Sequence, residues 1–330
     1  QIREKLPYLN AQLEKITGEK DVYSEDTNCA EKFDFEVVFG PVDTLAELQT
    51  TAKDCAVVVV ALHKMTEEKI SQMPESVKCI SRLGVGLDSI DLVAANKFKL
   101  PVIFQPTYAY NEVANHAAAM ALALHRGIYQ ATTTTQDGKW IPATQIAEIT
   151  SIQDSTLGVI GCGRIGQTFI KKMQPFVKDI IGFDPAVTEA IPGVTMTKNL
   201  DELLTKCKVI SMHAPYMPST HHMISEKEFA KMQEGTILVN VSRGGLVDED
   251  ALVKALESGH LDGAGLDVFE KEPLSEDSIL RHTKNLIVTP HIAWYSQSAG
   301  PRLIQWGFED AFNLITTGKI SNGNFAVGPF

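Results

Sequence analysis

The 330-residue sequence lacks a cationic excess: 30 lysines and arginines stand against 41 aspartates and glutamates, for a formal net charge of −11. No basic cluster offsets that balance, so attachment to nucleic acid or to an anionic membrane surface is not expected. Long hydrophobic runs are missing as well. The longest, residues 55–62 and 117–124, fall far short of the roughly 20 apolar residues that span a bilayer. The opening Gln1-Ile2-Arg3-Glu4-Lys5 carries mixed charge and no apolar signal core. Cysteine is sparse: Cys29, Cys55, Cys79, Cys162 and Cys207 are scattered, odd in number and form no C-x-x-C. That usage fits reduced thiols and leads to the expectation of a cytoplasmic protein. No repeat of solenoid period is present, and no metal is expected.

What is present is ordinary for a soluble globular chain, with 44% hydrophobic and 22% charged residues. The length is large for one core, so two domains are expected. A helix over 1–17 and an irregular polar stretch over 18–34 precede strands at 35–39, 56–62, 77–81 and 101–104, with helices at 44–53, 66–73 and 89–97. Such alternation implies a parallel sheet covered by helices on both faces. No strand precedes the first helix, and Gln1 in place of Met suggests a chain that begins after one. Asn111 reads as the N-cap of an alanine-rich helix over 112–126, apolar on nearly every face and therefore buried between layers or subunits. On it, His116 and His125 read as packed, hydrogen-bonded side chains. Residues 131–151, Thr-rich and containing Trp140, read as an extended arm.

A second βα array follows. Its first strand runs into Gly161-Cys162-Gly163-Arg164-Ile165-Gly166 and then a helix. In G-x-G-x-x-G the first glycine makes the tight turn, the second lets the backbone approach a pyrophosphate, and the third lets helix and strand pack closely. The helix N-terminus offers free N–H groups to the anion. A further strand over 179–183 ends at Asp184, close to the offset of about 20 residues expected for an acid that binds ribose hydroxyls. Together these features predict a dinucleotide site; an acid there, with no arginine in Phe183-Asp184-Pro185-Ala186, favours NAD over NADP. Strands at 194–196, 209–213, 236–241, 263–268 and 286–289 alternate with helices at 200–207, 226–231 and 249–258, the last stopped by Gly259. A closing helix over 302–316 leads to a Gly- and Asn-rich tail.

Arg243, Glu272 and His291 each follow a predicted strand of this array. In an open parallel sheet the carboxyl ends of the strands face the ligand crevice. Arginine offers a planar fork to a carboxylate, histidine exchanges protons near neutrality, and a neighbouring carboxylate stabilises imidazolium. Singly, Glu272 reads as a solvated loop residue. Beside a nucleotide loop, the three read as an active site.

With these residues in view, the chain resembles the NAD-dependent D-2-hydroxyacid dehydrogenase family over nearly its whole length. The resemblance rests on Arg82-Leu83-Gly84-Val85-Gly86-Leu87-Asp88, the glycine loop, His213-Ala214-Pro215 with Thr220-His221-His222-Met223-Ile224, Val239-Asn240-Val241-Ser242-Arg243-Gly244-Gly245, Leu266-Asp267-Val268-Phe269-Glu270-Lys271-Glu272-Pro273 and Thr289-Pro290-His291. It implies two doubly wound parallel-sheet α/β domains. A Rossmann nucleotide domain over 111–297 would be inserted into a flavodoxin-like substrate domain formed by 1–110 and 298–330, with a cleft and hinges. It implies catalytic roles for Arg243 (binding and polarising a 2-oxo acid), His291 (acid/base) and Glu272 (support of His291). It implies NAD contacts at Gly161, Gly163, Arg164, Ile165, Gly166, Asp184, His213, Pro215, Thr220, Val241 and Asp267. The substrate would meet His63, Val85, Gly86, Tyr108, Arg243 and Trp294.

Two functional readings stay open. One is an oxidoreductase acting on a 2-oxo/2-hydroxy acid, D-specific by resemblance. The other is an NADH-responsive dimeric binding module, because His291-Ile292-Ala293-Trp294-Tyr295-Ser296 and His63 look like the C-terminal binding protein branch. Residues 106–114 look instead like bacterial enzymes, and Asn115 stands where the family usually carries an acid. For the enzyme, Trp294 and Tyr108 suggest a medium apolar side chain, whereas a Trp294 packed between domains would touch no substrate. A homodimer is expected from the resemblance and from the apolar helix and Trp140 arm, which need cover.

Overall fold

The structure, a computed structural model, describes residues 38, 40–145 and 149–330. The predicted elements at 1–17, 18–34 and, apart from Val38, 35–39 lie outside the described residues. Two compact units divide the chain: one runs to Ala109 and resumes at Tyr295–Phe330, and the other is the continuous stretch Tyr110–Trp294.

In the first unit, α1 (Leu45–Thr51) opens on a capping box in which Thr44 and Glu47 each accept the other's backbone N–H. It is followed by β1 (Val57–Val60), α2 (Glu67–Ser71), β2 (Cys79–Arg82), α3 (Leu92–Lys97, capped by Asp91) and β3 (Val102–Phe104). The β1–β2–β3 pairs are parallel. Leu48, Val58, Val60, Ile80, Ala94, Ala95 and Val102 form the core.

The second unit begins with α4 (Tyr110–His125) and α5 (Ile128–Gln136). Then come β4 (Thr156–Ile160), α6 (Arg164–Met173), β5 (Asp179–Phe183), β6 (Thr195–Thr197), α7 (Leu200–Lys206), β7 (Val209–Met212), α8 (Glu226–Phe229), β8 (Thr236–Asn240), α9 (Glu249–Glu257), β9 (Leu261–Leu266) and β10 (Leu286–Val288). The sheet has the order β10-β9-β8-β7-β4-β5-β6, with every pair parallel. Its central strands are buried along their length, as a parallel sheet covered on both faces requires. One apolar cluster contains α4 and α6 residues such as Ala117, Met120, Phe169 and Met173; another contains Leu203, Leu252, Leu256 and Phe229.

The chain then completes the first unit with α10 (Ala299–Thr317), which packs on β2 and β3, and β11 (Asn324–Val327). β11 pairs antiparallel with β3, so this sheet is mixed rather than wholly parallel. The strand was not expected from the Gly- and Asn-rich tail. It grows from a turn wrapped on the buried Asp310 carboxylate, which accepts the N–H groups of Ser321, Asn322 and Gly323.

Two further expectations are corrected. The helix begins at Tyr110, so Asn111 lies inside its first turn and does not precede it as an N-cap must. Residues 131–136 are helical, not extended: the chain turns at left-handed Gly127 (φ 61°), and the Thr133 hydroxyl bonds back to the Tyr129 and Gln130 carbonyls inside α5. That contact satisfies the Thr133 hydroxyl within the helix, although threonine is weak in helix propensity. Trp140 beyond it is 92% exposed.

Candidate active site

Strand register gathers the candidate residues of the second unit. Along one edge of its sheet, Val288, Leu266, Asn240, Met212, Ile160 and Phe183 are successive cross-strand partners. The next residue on each strand is Thr289, Asp267, Val241, His213, Gly161 and Asp184. Five of these carry sequence-predicted roles, and all sit at the carboxyl ends where a parallel sheet presents its ligand crevice.

At the β4 end, Gly161 takes φ 90°, and a Cβ there would lie 2.5 Å from the His213 carbonyl carbon. A Cβ on Gly166 would lie 2.0 Å from the Gly161 oxygen, so helix and turn meet with no room for a side chain. Around Gly163 a Cβ would meet nothing within 4 Å, leaving the backbone open to a pyrophosphate. Gly163 is also the N-cap of α6, and no side chain caps that helix end, where free N–H groups suit an anion. Asp184 is braced on both oxygens: Oδ2 accepts the Cys162 N–H and Oδ1 the Ala186 N–H, each at 2.8 Å. His213 packs on Phe169, ring centroids 4.9 Å apart, and its Nε2 meets the Ser211 hydroxyl at 2.9 Å. Desolvation of the ring pushes its pKa down to about 3, so it is neutral. Thr220 organises the neighbouring loop, its hydroxyl donating to the Pro215 carbonyl at 3.0 Å and accepting the Met217 N–H. These residues fit a dinucleotide.

Past β8, buried Asn240 fixes the turn that carries Arg243: its side chain accepts the Ser242 N–H at 3.0 Å and donates to the Arg243 carbonyl at 2.9 Å. Past β9, Glu272 accepts the Phe269 N–H at 2.9 Å through Oε1. Its Oε2 lies 2.6 Å from His291 Nδ1. Partial burial works to raise the Glu272 pKa, but the His291 hydrogen bond and charge, the Phe269 N–H and the nearby Arg243 charge outweigh it and hold the group below the usual range. A carboxylate only accepts, so Nδ1 of His291 carries the proton and Nε2 is left for exchange. The structure brings His291 and Glu272 into contact, with the Arg243 charge acting on the same carboxylate.

Asp267 is buried, and its carboxylate accepts the Thr289 hydroxyl at 2.6 Å and the N–H groups of Ile292 and Ala293 at 2.9 Å each. It therefore anchors the segment following His291, whose own N–H donates to the Asp267 carbonyl at 2.8 Å. Sequence reasoning missed the structural part of Thr289 and Asn240. It missed also a second imidazole–carboxylate pair, His222 Nε2 to Glu270 Oε1 at 2.7 Å, and Glu249, which accepts the Glu270 N–H. Strand-end position signals the first two; no local spacing signals a pair 48 residues apart. His125 meets expectation: it is buried, near Ser155, and its pKa is lowered by burial first.

The remaining candidates belong to the first unit, except Trp294, which is half-buried at the end of the second. His63 Nε2 lies 3.8 Å from Asp43 Oδ1. Val85 is exposed and Gly86 half-exposed in the loop after β2, while Tyr108 is only 7% exposed, its carbonyl accepting from Arg302.

Comparison with known proteins places this geometry. Residues 118–293 match the sequence model of the D-isomer specific 2-hydroxyacid dehydrogenase NAD-binding domain. The chain is 37% identical to the D-3-phosphoglycerate dehydrogenase of Methanocaldococcus jannaschii over 75% of its own length and 47% of that protein's. It is 36% identical to the hydroxypyruvate reductase of Thermotoga maritima over 78% of the chain and 84% of the relative. The chain spans about half the length of the phosphoglycerate dehydrogenases it matches, 47% to 49% in five of them. Among solved structures, D-lactate dehydrogenase from Aquifex aeolicus, complexed with NAD and lactic acid, superposes with a TM-score of 0.81 at 31% identity, covering 94% of this chain and 98% of that one.

Proposed function

The chain belongs to the D-isomer specific 2-hydroxyacid dehydrogenase family and carries its NAD-binding domain, and from that premise we propose that it interconverts a 2-oxo acid and the D-2-hydroxy acid. The observation that carries the proposal is the His291–Glu272 pair at 2.6 Å beside Arg243, on the sheet edge that bears the glycine loop. NAD, when bound, supplies or accepts the hydride at C2 of the acid. Arg243 holds the substrate carboxylate and polarises the carbonyl. In reduction His291 Nε2 gives its proton to the C2 oxygen; in oxidation it takes that proton back, with Glu272 stabilising the imidazolium. The assembled trio supports an enzyme over the binding-module reading.

For the side chain, Trp294 supports an uncharged, apolar substituent, since it follows the segment that Asp267 anchors. Tyr108, buried in its own unit, adds no support. The names of the relatives favour hydroxymethyl or phosphorylated acids, so a panel from glyoxylate and hydroxypyruvate to branched, aromatic and phosphorylated 2-oxo acids decides the substituent. The exposed Ile128 and Trp140 support a homodimer, and cysteines too sparse and scattered for a disulfide framework support a cytoplasmic location. His291→Ala should abolish turnover while leaving NADH affinity within about twofold. Wild-type turnover in that variant would remove the histidine from the chemistry, and no turnover of any acid by the parent protein would revive the binding module.

A further inference from the structure

His116 stands apart from the trio, yet it is tied to the same catalytic histidine through one hydroxyl. It projects from α4 to the end of β10, where Nε2 lies 3.0 Å from Thr289 Oγ1 and 3.7 Å from Asp267 Oδ1. A threonine hydroxyl has one proton to give. The 2.6 Å separation from Asp267 Oδ1 assigns that proton to the carboxylate. The hydroxyl oxygen must then accept from His116, so Nε2 of His116 carries a hydrogen. The result is a directed chain: His116 N–H to Thr289, and Thr289 O–H to Asp267. Asp267 in turn holds the N–H groups of Ile292 and Ala293, and its carbonyl holds the His291 N–H.

The need for so many fixings lies in the backbone of His291, which takes φ 56°. A non-glycine residue rarely occupies that left-handed region and persists there only where its surroundings over-determine it. We propose that His116 and Thr289 are positioning residues for His291: the hydrogen bond from His116 orients the Thr289 hydroxyl, which locks the Asp267 carboxylate and so the direction in which the His291 imidazole points. This rests on the function proposed above and adds two residues to the machinery without contact with the reacting atoms.

The test is a double-mutant cycle with a readout that needs no turnover. His116→Leu and Thr289→Val should each lower kcat about tenfold, as small misplacements of a reacting group do, with KM and NADH affinity within about twofold. The double variant should be no worse than either single one, because both remove the same link. Thr289→Ser, which restores the hydroxyl, should return kcat to the parent value. In the NMR spectrum of histidine-labelled protein, the His291 ring resonances should move in His116→Leu and Thr289→Val and return in Thr289→Ser. Additive losses, or unmoved His291 resonances, would overturn the proposal. If His116→Leu does not fold, the near-isosteric Thr289→Val and its serine rescue decide the matter alone. A parent protein that turns over no 2-oxo acid would defeat the proposed function, while the His291 resonances would still decide the positioning.

Discussion

Oδ2 of Asp184 accepts the backbone N–H of Cys162 at 2.8 Å, so the acid at the end of β5 is stapled to the glycine loop at the end of β4. The carboxylate is thereby aimed before any nucleotide arrives, with acceptor capacity left for ribose hydroxyls and a charge that repels a 2′-phosphate. Lys198 lies in the same corner, donating to the Asp184 and Val187 carbonyls at 2.8 Å each. Asp184→Ser should therefore raise kcat/KM for NADPH relative to NADH by at least about tenfold, a single favourable charge–hydrogen-bond exchange. Steady-state kinetics with both cofactors measures the ratio; an unchanged ratio would show that Asp184 does not read the ribose.

Glu272→Gln keeps an acceptor for the His291 Nδ1–H but removes the charge. It should lower kcat/KM by about a hundredfold, within the range of acid–base assistance, with little effect on NADH affinity. The Glu272 pKa lies below the ordinary 4.5, so its contribution to stability is present above that value and is lost as pH falls through the lower folded-state pKa. Thermal melts below pH 4.5 should show a shallower acid decline in the variant than in the parent.

Gly166→Ala places a methyl 2.0 Å from the Gly161 oxygen and forces α6 away from the turn. The expected loss is about 1–3 kcal/mol, typical of overpacking. Denaturant melts should record it, together with weaker NADH binding. Parent-like stability would mean that the close packing is relaxed at no cost.

His213 is neutral in the folded protein, with a pKa near 3 against the ordinary 6.5. A lowered histidine contributes stability fully above 6.5 and loses it as pH falls toward 3, because the unfolded chain takes up the proton first. His213→Gln should thus be less stable than the parent at neutral pH, with the gap closing on acidification. A gap that stays constant with pH would assign the effect to packing against Phe169 instead.

The parts of this fold that were legible in the sequence are those whose chemistry is local. A glycine loop announces a turn, a strand end announces the crevice, and Arg243, Glu272 and His291 could be placed by counting one to several residues past apolar runs. What was hidden depends on partners far along the chain. β11 exists because Asp310 gathers the turn before it and β3 offers an edge. The α5 helix forms although threonine favours other conformations, the Thr133 hydroxyl bonding back to the preceding turn. The His116–Thr289 contact joins residues 173 apart, and neither helical spacing nor strand alternation points to it.

The left-handed backbone of His291 also says something about what keeps the residue there. A side chain in that conformation costs roughly 1–2 kcal/mol relative to glycine, which occupies it freely. Glycine at this position would relieve that cost and give up the hydrogen bond to Glu272. Losing the imidazole would leave the glycine loop and the braced Asp184 in place. Such a variant would keep the residues that fit a nucleotide and lose the group that exchanges the proton.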